Sequence, residues 1–323
     1  MRYRLEYFLS RLHSRRPLKR ALRCRVALTI ALALLCVASQ AHAAWTITSA
    51  DAPVTVIRAA NVYQLGVGEA LRDDDLIEST PRSVVQLQDE AGNLLALGAQ
   101  TRVLLQAGPR VSLLDGWLKV AQPCAAAPCK ALDIDTERAS VELGASAAVV
   151  VAALPGADHD KSTIAVFSES GTQTLAASAR KNTITPGSFA YVTVSAPPQI
   201  AQRPSSAFLT DMPVAFRDAL QRLPVTPAAH DSPVKPLRAV TYDDVSAWLA
   251  SDLPARKRFP ARFRSRLADQ AFRRAVDQNL KVLPEWRVLL YPPVPRPDAR
   301  QRGLQALHVN TSALPASSLY QRP

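Results

Sequence analysis

Aromatic side chains make up only 6% of the 323 residues, so a core has to be assembled from Val, Leu, Ile and Ala rather than from rings. Histidine is scarcer still. Beyond the N-terminal region it occurs as His159, His230 and His308, each alone and with no paired spacing, whereas zinc asks for about four ligands, so the histidines argue against a zinc site. His-Glu-x-x-His, Gly-x-x-x-x-Gly-Lys-Ser/Thr and Gly-x-Gly-x-x-Gly are all missing, which removes the common metalloprotease, nucleotide-phosphate and dinucleotide readings. The run Gly144-Ala145-Ser146-Ala147-Ala148 matches a nucleophile elbow only loosely, and Ser146 sits within apolar residues, where core packing is expected. No catalytic residue, cofactor site or metal site is assigned, and a non-enzymatic protein is expected.

Long hydrophobic runs are also lacking. The longest near the N-terminus, residues 26–37, would form a helix about 18 Å long at about 1.5 Å per residue, short of a hydrocarbon core of about 30 Å. It follows nine basic residues from Arg2 to Arg25, opposed only by Glu6, and is followed by Ala41 and Ala43, small residues three and one positions before a cut. That arrangement predicts a cleavable export signal over 1–43, a mature chain from Ala44 and a periplasmic protein without a membrane span; an uncleaved inner-membrane anchor is the alternative. A large positive charge is lost with the signal. Nine of the 39 basic and one of the 27 acidic residues precede Ala44, leaving 30 against 26, too mild an excess to argue for nucleic acid.

Cysteine is reduced to two residues by the same cut, Cys124 and Cys129. In an oxidising space two such neighbours are expected to form a disulfide, worth about 2 kcal/mol in the chain-entropy model. Metal binding is the alternative for this pair.

What is present over 44–198 is short-period alternation. Val85 and Leu87, Leu95 and Leu97, Val103 and Leu105, Val111 and Leu113, Leu118 and Val120, Leu132 and Ile134, and Val141 and Leu143 stand two apart, with glycines between the runs where tight turns are needed. The run 145–154 is almost wholly apolar and is read as a strand buried on both faces. The triplet Asp73-Asp74-Asp75 lacks the alternating oxygens of a calcium loop and is expected to be a solvated turn. Asp89 and Asp115 are expected to supply turn hydrogen bonds, and Trp117 to fill core or cover an edge.

The order Val54-Thr-Val-Ile-Arg58, Leu65-Gly-Val-Gly-Glu-Ala-Leu71, Asp75-Leu-Ile-Glu-Ser-Thr80, Ser83-Val-Val-Gln-Leu-Gln-Asp89 and Leu113-Leu-Asp-Gly-Trp-Leu-Lys-Val120 resembles the FecR domain. Ile164-Ala-Val-Phe-Ser-Glu-Ser-Gly171 and Thr185-Pro-Gly-Ser-Phe189 resemble its closing strands. The resemblance implies an extracytoplasmic β-roll or β-sandwich of many short strands that binds proteins or envelope components. The best-known members relay a signal from an outer-membrane receptor to a sigma factor through a cytoplasmic segment and a retained membrane span. This chain departs from them, because only its basic N-terminal run would lie in the cytoplasm, so a freestanding exported adaptor or sensor with an envelope protein partner is expected.

Beyond the β-rich part, 199–240 is rich in Pro, Ser, Ala and Gln and is read as a linker carrying a short helix near residues 212–223. A small helical module is expected over 241–291. Thr241 caps a helix over residues 242–250, and a second helix from Asp269 places Phe272, Val276, Leu280 and Leu283 on one stripe before Pro284. The tail 292–323 has little to bury and is expected to be disordered. Arg256, Lys257, Arg258, Arg262, Arg264, Arg266, Arg273 and Arg274 form the one basic concentration after Ala44. They are the candidate patch for a partner or an anionic ligand, and an envelope glycan or lipid bound there is the alternative function.

Overall fold

The structure, a computed structural model, describes residues 45–123, 130–154, 163–194, 196–224 and 234–293. The expected signal segment, Cys124 and Cys129, the histidines and most of the tail lie outside the described residues. Among the described residues no helix is long and apolar enough to cross a membrane.

The fold is mainly β, as the alternation predicts. Strands β1 (Thr46–Ala50), β2 (Val54–Arg58), β3 (Asn61–Leu65), β4 (Leu76–Glu78), β5 (Val85–Gln88), β6 (Leu94–Leu97), β7 (Arg102–Gln106) and β8 (Arg110–Gln122) come first. There follow β9 (Asp133–Asp135), β10 (Ser140–Leu143), β11 (Ala147–Leu154), β12 (Thr163–Ser170), β13 (Gln173–Ala177), β14 (Arg180–Ile184), β15 (Phe189–Val192), β16 (Gln199–Ala201) and β17 (Arg238–Ala239). The helices are short: α1 (Ser206–Asp211), α2 (Tyr242–Ala250), α3 (Phe259–Arg262), α4 (Gln270–Gln278) and α5 (Arg287–Leu290).

Hydrogen bonding runs β1-β5-β6-β8-β11-β12-β15-β16 in a first sheet. In a second it runs β17-β3-β2-β4-β7-β8-β9-β10-β13-β14, antiparallel except between β8 and β9. Strand β8 belongs to both. Its residues 110–115 pair with β7 and its residues 116–122 with β11, and the change of sheet falls at an irregularity where Asp115 faces Arg102 but Leu113 faces Val103, so Leu114 is the extra residue. Gly116 completes the corner. It has φ 90°, and a Cβ there would lie within 2.7 Å of the Thr101 Cα. Such a bulge turns the strand and reverses which side its alternate residues face.

The two sheets pack face to face. Ile47, Leu87, Leu97, Leu118, Val120, Val149, Val151 and Val166 of the first meet Val56, Ile77, Val103, Val111, Leu113, Ile134, Val141 and Leu175 of the second, all of them buried. Neither outer face is bare. Ala96, Trp117, Val150, Ala152, Ala165 and Phe189 on the outside of the first sheet are covered by Phe208, Met212 and Phe216. Ile57, Val62, Leu76, Leu104 and Leu114 on the outside of the second are covered by Val245, Trp248, Leu249, Phe259, Phe263, Phe272, Val276 and Trp286. The chain thus forms four layers: a strap, two sheets and a helical layer. The stretch read as a linker supplies the strap, and its helix lies earlier than expected, at residues 206–211, followed by a 3-10 turn over Val214–Phe216.

Candidate functional site

The face under the strap is lined by aromatic rings. Phe208, at the middle of α1, lies with its ring centroid 5.0 Å from Trp117, 4.9 Å from Phe189 and 6.3 Å from Phe167, each at a tilted or edge-on angle. Ser205 holds the start of α1 by accepting the Phe208 N–H at 3.1 Å, and Pro213 starts the turn that brings Phe216 down to full burial. Phe208, Met212 and Phe216, four residues apart, thereby all face the sheet.

One buried cation fastens this strap. Lys119 stands on β8 beside Trp117 with its side chain 1% exposed. Its Nζ donates to the Phe216 carbonyl at 2.8 Å, to the Asp218 carbonyl at 2.8 Å and to Glu169 Oε1 at 2.7 Å, so all three ammonium protons are used. Farther along, Gln86 Nε2 donates to the Gln221 carbonyl at 2.8 Å. An ammonium is stable in such a place only because every donor is met, and removing the strap would strand it.

The basic concentration is divided among several tasks. Arg256 binds Glu285 through Nε at 2.8 Å and also reaches the Val282 and Ser251 carbonyls, tying the end of α2 to the turn before α5. Arg266 donates to the Val240 carbonyl at 2.7 Å and to Asp269, Arg273 to the Leu290 carbonyl and Arg274 to Gln270. Lys257 and Arg264 are exposed. Only Arg258 and Arg262 turn toward one another's neighbourhood, on a cleft of about 350 Å3 that they share with Arg58, Arg72, Asp73 and Asp74.

That cleft joins the arginines to the aspartate triplet, and the triplet differs from a solvated turn. Asp75 is fully buried and accepts from Arg58 Nε at 2.9 Å, Arg58 Nη2 at 2.6 Å and the Arg72 N–H at 2.8 Å. Asp74, at φ 64°, pairs with Arg258 at 2.9 Å. Arg262 donates to the Ile57 carbonyl at 2.7 Å and to the Ala59 carbonyl at 3.3 Å, and burial, opposed by Asp74 and Asp75, brings its guanidinium down to about 10.

Other expectations fall in place unevenly. Asp89 does cap its turn, accepting the Asn93 N–H and side-chain amide at 2.7 Å each. Asp115 instead pairs with Arg102 at 3.2 Å across β7 and β8. Ser146 is not core: the strand begins one residue later, and Ser146 is exposed at φ 50° in the turn that precedes it. The Cys124 and Cys129 pair is not described.

No protein-family model matches the sequence, and no curated protein is significantly similar to it. Among solved structures, the chain is similar to two crystal structures, at 1.65 and 2.50 Å, of a "putative anti-sigma factor" from Parabacteroides distasonis. Both are 14% identical to it, with TM-scores of 0.34 and 0.35 over 40% and 42% of this chain. The match spans 59% and 64% of the length of those proteins.

Proposed function

We propose that this chain is a non-enzymatic adaptor or sensor of the cell envelope, exported to the periplasm, whose working surface is the outer face of the first sheet. The observation that carries the reading is the docking of Phe208, Met212 and Phe216 on Trp117, Phe167 and Phe189. A short segment laying spaced apolar anchors on an apolar surface is how peptide ligands are often held, and here the anchors come from a helical turn, its cap and a 3-10 turn. Here the ligand position is filled by the chain's own strap, fastened by polar bonds at Lys119 and Gln86. A partner segment with the same spacing of Phe and Met would compete for the face, and the strap would set the threshold, since a site filled in cis binds in trans only in the fraction of time it stands open. The FecR resemblance of the strand order accords with a protein-binding role.

The test uses a synthetic peptide of residues 205–218 and two full-length proteins, the native chain and the double variant Phe208→Ala/Phe216→Ala, whose strap has lost its anchors. The variant is expected to bind the peptide at least about tenfold more tightly than the native chain, about 1.4 kcal/mol in its favour. Equal affinity for both proteins, or none for either, would overturn the reading. Fractionation of cells, with sequencing of the mature N-terminus, checks the address; Ala44 is expected as the first residue.

A further inference from the structure

Four guanidiniums meet at the cleft between the β2–β3 turn, the loop before β4 and helix α3. Two of them are committed, Arg58 to Asp75 at 2.6 Å and Arg258 to Asp74 at 2.9 Å. Arg262 is half-buried, and its hydrogen bonds go to two backbone carbonyls rather than to a carboxylate. Carbonyl dipoles solvate a cation but leave its charge standing. Arg72 is exposed, and among the described residues its guanidinium makes no hydrogen bond or ion pair, although its backbone N–H is fixed on Asp75 at 2.8 Å. Asp73 also lines the cleft and has a contact of its own. Asp73, Asp74 and Asp75 offset three of the four arginines, and Glu69 acts on Arg58 from farther off. Phe259 and Ala59 supply an apolar wall, and the volume of about 350 Å3 is at the small end of ligand sites.

From this convergence we propose that the cleft binds a phosphate group, held chiefly by Arg72 and Arg262 and flanked by Arg58 and Arg258. A carboxylate is planar and satisfied by one guanidinium fork, whereas a phosphate offers oxygens in a tetrahedron and suits donors that come from separate elements. Here they come from three: β2, the loop carrying residues 72–74, and the helical layer. The group would be presented either by a small soluble phosphate ester or by the headgroup of an anionic phospholipid. The cleft lies on the outer side of the second sheet, away from the strap, so the outcome is independent of the adaptor reading.

The experiment uses the full chain. Inorganic phosphate and glycerol 3-phosphate are titrated calorimetrically at constant ionic strength set with sodium chloride. In parallel, the protein is sedimented with vesicles of phosphatidylcholine alone and of phosphatidylcholine with phosphatidylglycerol. Saturable binding is expected in at least one arm: in the calorimeter for a soluble phosphate, or on the phosphatidylglycerol vesicles alone for a lipid headgroup. Arg72→Gln is expected to weaken it by about tenfold or more, the scale of one charge-assisted hydrogen-bonded contact. Arg262→Gln should do the same, but Arg262 also holds the β2–β3 turn. Arg72→Gln is therefore the deciding variant, with its thermal melt recorded beside that of the native chain. Absence of binding in both arms, or binding unchanged by Arg72→Gln, would overturn the proposal.

Discussion

At the β13–β14 hairpin the chain closes in two residues, Ser178 and Ala179, with Ala177 paired to Arg180 across the turn. Both central residues have positive φ, 49° and 61°. This is the geometry that suits the twist of paired strands, but it is one that Asn-Gly adopts readily and Ala does not. Ala179→Gly should therefore stabilise the protein, by about 0.5 to 1 kcal/mol, visible as a raised urea midpoint at unchanged slope. A lowered midpoint would show that the turn relaxes elsewhere. Polar residues at this scale were the least legible in the sequence. Lys119 alternates with Leu118 and Val120 as an outward-facing residue should, and Asp75 ends a run of three acids that reads as wet. Each is buried because of a partner brought from elsewhere: the Phe216 carbonyl for Lys119, and Arg58 for Asp75. Burial of a charge depends on who meets it, and local sequence does not carry that.

Single elements were more readable. The cap at Asp269, which accepts from the Ala271 N–H at 2.8 Å, and the spacing of Phe272 and Val276 start α4 where the pattern put it. The helix ends at Gln278, however, and of the expected stripe Leu280 lies in the turn that follows and Leu283 just beyond it. Helix α2 likewise begins after Thr241. There Asp244 accepts the Thr241 N–H at 2.7 Å and both Nη groups of Arg238. Burial raises the Asp244 carboxyl, but the Arg238 and Thr241 hydrogen bonds outweigh it and hold it at about 2, below the unfolded value of about 3.9. A depressed acid contributes stability that is complete above about pH 4 and is lost as pH falls toward 2. Asp244→Asn should thus be less stable than the native chain at pH 6, and the difference should shrink as pH falls from about 4 to about 2, by denaturant unfolding across that range. The strands show where such reading stops. Leu113 and Leu118 both point into the central core although five residues separate them, an odd spacing that an unbroken strand does not permit. The pattern therefore contained the corner at residues 114–116 as a break of phase. The strap was hidden, because Phe208, Met212 and Phe216 lie among prolines and serines and their spacing acquires meaning only against a sheet assembled from distant strands.

At the scale of the whole molecule, no layer is independent. The central core, the strap and the helical layer are each apolar on the side they share with a sheet, and separating any of them exposes buried Val, Leu and Phe. The four tryptophans report on all three: Trp45 in the central core, Trp117 under the strap, and Trp248 and Trp286 in the helical layer. Four proteins keeping one tryptophan each, the others replaced by Phe, should unfold in urea at midpoints that lie together once each is referred to its own circular-dichroism transition. A strap signal that moves first would show that this layer detaches in most molecules before the sandwich unfolds, beyond the minor open fraction that binding in trans requires.

The two outer layers come last in the chain, and this gives the fold a timetable. The last strand before the strap, β16, ends at Ala201, and the helical layer is not complete until Leu290, about ninety residues later. At a synthesis rate of about 5 to 20 residues per second that interval is about 5 to 20 s. Trp117, Phe167 and Phe189 stand open on one side until the strap is made at Phe216, and Leu76, Leu104 and Leu114 on the other until the helical layer is made. A nascent chain stalled early in that interval would be a sticky object with two adhesive sides, so this protein should lean on holding chaperones during its making more than a bare sandwich of the same strands would.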